Sequence, residues 1–200
     1  MIALIDYGIS NLRSVQKAFE HLDTEVALVD TPDRLAQADR LILPGVGAFP
    51  AGMKGLQERG LIEPIKQAVH DGKPLIGICL GMQLLFESSN EMGATQGLGL
   101  LPGQVTRLVG SGLKIPHIGW NQLDVVHEHP LVRHLVSGSY AYFVHSYAIY
   151  PEDQDIVLAT TDYGSPFVSI VGRGNVCGLQ FHPEKSQTVG LKLLRNFLSL

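Results

Sequence analysis

Short, continuously apolar runs alternate along the first half of the chain with segments whose apolar residues recur at helical spacing. Residues 2–6 are apolar until Asp6, which predicts a strand buried on both faces. Leu12, Val15, Ala18 and Phe19 then fall three or four apart, the stripe of an amphipathic helix, with Asn11 in the capping position. Further strands are predicted over residues 25–29, 41–43 and 74–78, the second stopped by Pro44-Gly45. Helices are expected over residues 51–59 and 61–71, and another soon after Cys79. Such alternation implies a parallel sheet covered by helices.

The pattern changes in the second half. Residues 105–108, 120–124, 140–145, 157–160 and 168–171 read as short strands with no helix between them, so antiparallel additions to the sheet are expected. A strand over 176–181 ends just before His182, and an apolar helix runs through Leu191, Leu194, Phe197 and Leu198. The predicted fold is a three-layer α/β domain, with a mostly parallel central sheet, helices on both faces and antiparallel additions. No repeat, low-complexity tract or linker divides residues 1–200, which are expected to form a single domain.

Composition narrows the function classes. At 200 residues and 45% hydrophobic content, one domain with a substantial core is expected. The net charge of −4, from 15 Lys plus Arg against 19 Asp plus Glu, argues against a nucleic-acid partner, which would demand a basic face. The opening residues carry no basic leader, and no apolar run reaches the ~18 residues of a membrane span, so neither export nor a membrane is expected. Two cysteines are too few for a disulfide framework, and a reduced, cytoplasmic location follows. His117, His127, His129 and His134 lack metal-ligand spacing, so no metal and no cofactor are expected.

The strongest local signal is Gly77-Ile78-Cys79-Leu80-Gly81. A nucleophile with glycine two residues before and two after is the pattern of a nucleophile elbow, where a tight strand-to-helix turn leaves no room for bulkier flanks. The turn also sets Cys79 at a helix N-terminus, where the helix dipole favours thiolate. The competing reading, a cysteine acting as a small buried hydrophobe, suits Cys177 better, since Cys177 sits inside the apolar run 176–179.

A thiolate attacking an amide needs a partner that takes and returns a proton. His182 closes a strand in Leu179-Gln180-Phe181-His182-Pro183-Glu184. Pro183 is expected to hold the chain extended, which would point His182 and Glu184 the same way, so that the carboxylate fixes the imidazole tautomer. Alone, His-Pro-Glu could be an ordinary loop cap; the elbow gives it weight.

With these residues in view, Gly77–Gly81 with Met82-Gln83, and Phe181-His182-Pro183-Glu184, resemble the triad-type, class I glutamine amidotransferases over nearly the whole chain. Asp6-Tyr7-Gly8 with Asn11, Pro44-Gly45-Val46-Gly47, Pro116-His117-Ile118-Gly119-Trp120-Asn121 and His182–Ser186 resemble the branch that supplies ammonia for histidine biosynthesis. Ser10 departs from that pattern, where glycine is expected.

The resemblance implies that Cys79 forms a glutamyl thioester, His182 shuttles the proton and Glu184 orients His182. It implies an oxyanion hole from the backbone N–H groups of Leu80 and Val46, each worth on the order of 3 kcal/mol in the transition state. Gly47, Gln83, His145, Ser146 and Tyr147 would bind glutamine, and Asn11, Trp120 and Lys185 would meet a separate (β/α)₈ synthase subunit in a heterodimer. Trp120, taken without the resemblance, reads as a core aromatic, and Tyr140, Tyr142 and Phe143 read as core or barrel-facing packing. Three alternatives stay open: a glutaminase for anthranilate, pyridoxal phosphate or guanylate synthesis; a cysteine peptidase or γ-glutamyl hydrolase; and a binding module with a decayed site.

Overall fold

Three of the four residues of β1 (Ile2–Ile5) are fully buried because the strand is covered on both faces and flanked on both edges. The computed structural model describes residues 1–200, and in it β1 pairs in parallel with β2 (Ala27–Val29) and β3 (Arg40–Leu43). Next to β3 lies β4 (Leu75–Ile78), and next to β4 lies β13 (Val176–Leu179), both parallel. Antiparallel strands then continue the sheet: β12 (Pro166–Arg173), β11 (Val157–Asp162), β8 (His117–Val125) and β9 (Ser139–His145). The order is β2-β1-β3-β4-β13-β12-β11-β8-β9, nine strands in all. Four parallel strands from the first part of the chain, with β13 added from near its end, are thus extended by antiparallel strands from the second part.

Alternation along the buried strands feeds two cores. Ala3, Ile5, Leu41 and Leu43 point into one, with α2 (Pro32–Ala36), α3 (Phe49–Glu58), α4 (Ile62–His70) and α5 (Leu80–Leu84) contributing Leu35, Phe49, Leu56, Ile65 and Leu84. Leu4 and Ile42 point the opposite way, against α1 (Leu12–Glu20) and α6 (Gln187–Leu198), whose Val15, Phe19, Leu194 and Phe197 complete the second core. Each face is apolar because successive strand side chains alternate sides. Helices α1 and α6 show the three-and-four spacing that the sequence predicts.

A second, four-stranded sheet was not foreseen. It runs β10 (Tyr147–Pro151), β7 (Leu101–Arg107), β5 (Phe86–Ser89) and β6 (Thr95–Gln96). The expected strand at 105–108 belongs to β7 in this sheet. Its apolar positions Leu101 and Val105 join the first core, while Pro102, Gln104 and Thr106 stay more open. Three local expectations need correction. Asn11 occupies the capping position of α1, but its side chain makes no capping bond. The strand before His182 ends at Leu179 rather than Phe181. Residues Pro183–Lys185 form a turn of 3₁₀-helix, not an extended segment. No helix is long and apolar enough to cross a membrane.

Candidate active site

Strands β4 and β13 are parallel neighbours in register, Ile78 opposite Leu179. Cys79 follows one and His182 lies three residues beyond the other, so both emerge at the carboxyl edge of the sheet, where open α/β sheets place their sites. The Cys79 N–H donates to the Leu179 carbonyl at 2.7 Å and locks the two exits together.

Cys79 adopts φ 55° and ψ −112°, a conformation L-residues resist, between β4 and α5. The flanking glycines are there for space: a Cβ on Gly81 would overlap the Leu43 carbonyl oxygen, and one on Gly77 would come within 2.6 Å of the Gly81 carbonyl oxygen. Leu80 opens α5, so its N–H has no partner within the helix and is free for a ligand. The helix is only five residues long, so its dipole is a smaller influence on the thiol than the sequence suggests.

His182 and Glu184 meet across the Pro183–Lys185 turn. The His182 Nδ1–H donates to Glu184 Oε1 at 2.8 Å, and the glutamate side chain is only 2% exposed. That bond fixes the ring and leaves Nε2 for the thiol. Burial works to lower the His182 pKa, but hydrogen bonding and charge from Cys79 and Glu184 outweigh it and hold the ring at about 10. The turn itself is stitched by Ser186, whose buried hydroxyl donates to the His182 carbonyl at 2.7 Å and accepts from the Tyr142 N–H at 3.0 Å.

One cleft of about 300 Å³ gathers Cys79, Leu80, Gln83 and His182 with Val46, Gly47, His145, Ser146 and Tyr147. Every residue expected to touch substrate therefore lines one space; Glu184 stands behind His182. The Gln83 Nε2 donates to the Tyr147 carbonyl at 3.0 Å and to Gln180 Oε1 at 3.2 Å, which leaves Gln83 Oε1 as its open acceptor. The Val46 N–H is not turned to the cleft: it donates to the Ile9 carbonyl at 3.2 Å. A larger cleft of about 630 Å³ around residues 125–135 holds no nucleophile.

Glu91, Pro116 and Val144 also line the cleft; Pro116 stands in a segment that carries the resemblance and Val144 in the strand that leads to His145, while no spacing singles out Glu91. Glu91 Oε2 accepts from the Phe49 N–H at 2.8 Å, a contact between distant segments that no spacing announces. Tyr7 belongs to the Asp6-Tyr7-Gly8 motif, but its contact is unforeseen: its buried hydroxyl donates to the Pro44 carbonyl at 2.6 Å, and burial, with the nearby charge of Cys79, raises its pKa. Cys177 is fully buried and burial pushes its thiol up to about 12, as a core cysteine should be.

Of the expected partner contacts, Trp120 is 47% exposed on β8 rather than packed inside. It meets Tyr142 edge-on at 5.9 Å, and the exposed Lys185 places its Nζ 5.7 Å from the centre of the same ring. Tyr140 is also exposed, while Phe143 is buried. Asn11 is exposed before α1, a helix that packs beside the Pro183–Lys185 turn.

The family model for class-I glutamine amidotransferases matches residues 3–200. A protein of Syntrophotalea carbinolica named imidazole glycerol phosphate synthase subunit HisH is 52% identical, covering 98% of each chain. One of the same name from Aquifex aeolicus is 53% identical over 97% of this chain and 94% of its own. Among solved structures, a glutamine amidotransferase matches with a TM-score of 0.79 at 22% identity over 100% and 98% of the two chains. PurLQS from Thermotoga maritima matches with a TM-score of 0.77 at 24% identity over 99% and 97%.

Proposed function

Because this chain belongs to the class-I glutamine amidotransferases, we propose that it is the glutaminase subunit of an imidazole glycerol phosphate synthase, working as one domain over residues 1–200. The thiolate of Cys79 attacks the side-chain amide carbon of glutamine. The tetrahedral oxyanion is received by the Leu80 N–H and, after rotation of its peptide, by the Val46 N–H. His182 gives its proton to the departing nitrogen as the C–N bond breaks, and ammonia leaves a glutamyl thioester. Water then attacks the thioester, His182 takes its proton, and glutamate and the thiolate are restored. Glu184 keeps the His182 ring in register throughout.

Gly47, Gln83, His145, Ser146 and Tyr147 hold the substrate's amino-acid end. The ammonia passes to a (β/α)₈ synthase subunit that docks near Asn11, Trp120 and Lys185, where it enters a ribulosyl-linked nucleotide. Imidazole glycerol phosphate and an aminoimidazole carboxamide ribotide result, a step of histidine biosynthesis. A reduced cytoplasm suits two free, buried thiols.

The observation that carries this reading is the His182–Glu184 bond of 2.8 Å behind an elbow cysteine in a shared cleft. The test is glutamate release by the purified chain with and without the synthase subunit. Release with the subunit present is expected; none under either condition would overturn the reading.

A further inference from the structure

Two buried histidines that exchange no proton in the reaction connect strand β8 to the cleft. His117 Nδ1 lies 3.0 Å from His145 Nε2, and His145 Nδ1 lies 2.9 Å from the Tyr147 carbonyl oxygen. His117 Nε2 faces Asn121 Nδ2 at 3.4 Å. We propose that His117 and His145 are positioning residues for glutamine, a neutral pair with both protons on Nδ1 that fixes the Tyr147 carbonyl and, through it, Gln83. The proposal rests on the reading that this cleft binds glutamine.

The polarity of the chain is set from both ends. A carbonyl oxygen only accepts, so His145 must carry its proton on Nδ1, and its Nε2 must then accept from His117. At the far end, Asn121 Oδ1 accepts from the Gln122 N–H at 2.8 Å, and its Nδ2 donates to the Asp162 carbonyl at 2.7 Å. The amide is therefore oriented with its NH₂ toward His117 Nε2, which must accept. The two constraints come from different strands and demand the same arrangement: Asn121 to His117 to His145 to Tyr147.

Charge on the pair would break the chain, because a protonated His145 and the His117 Nδ1–H would face each other as two donors. The surroundings oppose that charge. His117 is 2% exposed, packed against the rings of Tyr163 at 4.0 Å and Phe143 at 4.9 Å. His145 is 5% exposed; the Glu91 carboxylate lines the same cleft, but burial works against a proton on His145. Burial pushes both His117 and His145 down to about 4, and His182 adds to the effect on His145.

The consequence falls on substrate binding. His145 ends β9 in the large sheet, Tyr147 begins β10 in the small one, and only Ser146 lies between. The His145 ring bridges that change of sheet. It shares the Tyr147 carbonyl with the Gln83 Nε2, so the orientation of the Gln83 acceptor in the cleft depends on the same oxygen.

Nitrogen-15 NMR of the histidine rings in the intact chain tests the arrangement directly. At neutral pH both rings should be neutral with the proton on Nδ1, the minority form of free histidine. Either ring found cationic or protonated on Nε2 alone overturns the proposal, whatever the enzyme's activity. Kinetics with the synthase subunit present test the role. His117→Phe keeps the ring stacking and removes the donor, so the KM for glutamine should rise about tenfold while kcat stays within about twofold, the scale of one lost hydrogen bond. His117→Asn, whose amide nitrogen occupies the place of Nδ1, should restore KM. An unchanged KM in His117→Phe, or a loss of kcat that His117→Asn does not rescue, would reduce the pair to a structural role. If the wild type releases no glutamate, the glutaminase reading fails, and the ring protonation alone decides the pair.

Discussion

The Val46 amide donates to the Ile9 carbonyl at 3.2 Å, away from the cleft that holds Cys79. The same loop holds Pro44 through the Tyr7 hydroxyl, so two bonds bracket Gly45. With the Val46 proton engaged there, Leu80 is the one member of the expected oxyanion pair facing the reaction. One missing donor slows such chemistry by roughly a hundredfold or more. The isolated chain should therefore turn over glutamine that much more slowly than the complex with its nucleotide ligand bound. Docking would act by favouring the rotated peptide, a shift of population. Steady-state glutamate release measures it; equal rates would remove the switch and leave the triad standing.

Cys79→Ala should abolish glutamine hydrolysis and leave the fold intact, because alanine fits the space of a cysteine. Synthesis supported by added ammonia should continue in the complex, since the partner's chemistry does not involve the thiol. Residual glutaminase activity in the purified variant would reassign the nucleophile.

His182→Asn should be nearly as damaging as loss of the thiol, because groups acting as one unit do not contribute additively. Glu184→Gln should cost less. It weakens the 2.8 Å bond that orients the ring but leaves the proton carrier in place. The reverse order in kcat would contradict the roles given to the two side chains.

Gly81→Ala should fail for a steric reason. Its Cβ would overlap the Leu43 carbonyl oxygen, which belongs to a buried strand and cannot move aside cheaply. A loss of stability of about 3 kcal/mol or more is expected. Gly47→Ala meets no neighbour but sits at φ +95°, so it should be milder, its cost one of backbone strain alone. Denaturant unfolding of the two variants should rank them in that order.

Stability should fall on both sides of neutrality. His117 and His145 ionise near 4 when folded, against an ordinary 6.5, so the unfolded chain takes up protons first. Stability is therefore lost as the pH falls from about 6.5 to about 4. His182 has the opposite sign: its folded pKa of about 10 gives a contribution fully present below 6.5 and lost as the pH rises through 10. Melting temperatures across this range should show both limbs. His117→Phe should flatten the acid one and His182→Asn the alkaline one.

Much of this was legible beforehand, and the reasons differ by element. β1, β3 and β4 could be read because strands buried on both faces are continuously apolar. The elbow at Cys79 could be read because backbone crowding admits only glycine at 77 and 81. The small sheet escaped notice. β5 and β6 are short and carry Glu87, Ser88, Thr95 and Gln96, and their pairing is set by the sheet rather than by any apolar rhythm. The His182–Glu184 contact was expected from an extended segment and arises across a 3₁₀ turn, since Pro183 fits the first position of such a turn equally well. The contacts of Glu91, of Tyr7 and between His117 and His145 were invisible because the partners are distant in sequence and polar contacts have no periodicity.

The placement of β13 between β4 and β12 also governs when the enzyme comes into being. During synthesis β1 to β4 emerge together and can pair at once, with Cys79 already at their rim. The open edge of β4, whose four residues are all buried in the finished protein, must then wait about a hundred residues for its neighbour. An unpaired apolar edge of that kind invites association with other chains, so this interval is the hazardous part of the protein's assembly. The same delay is protective in another sense. His182 arrives only with β13, so a nascent chain carries a thiol but no proton carrier, and glutamine is safe from it until the central gap in the sheet has closed.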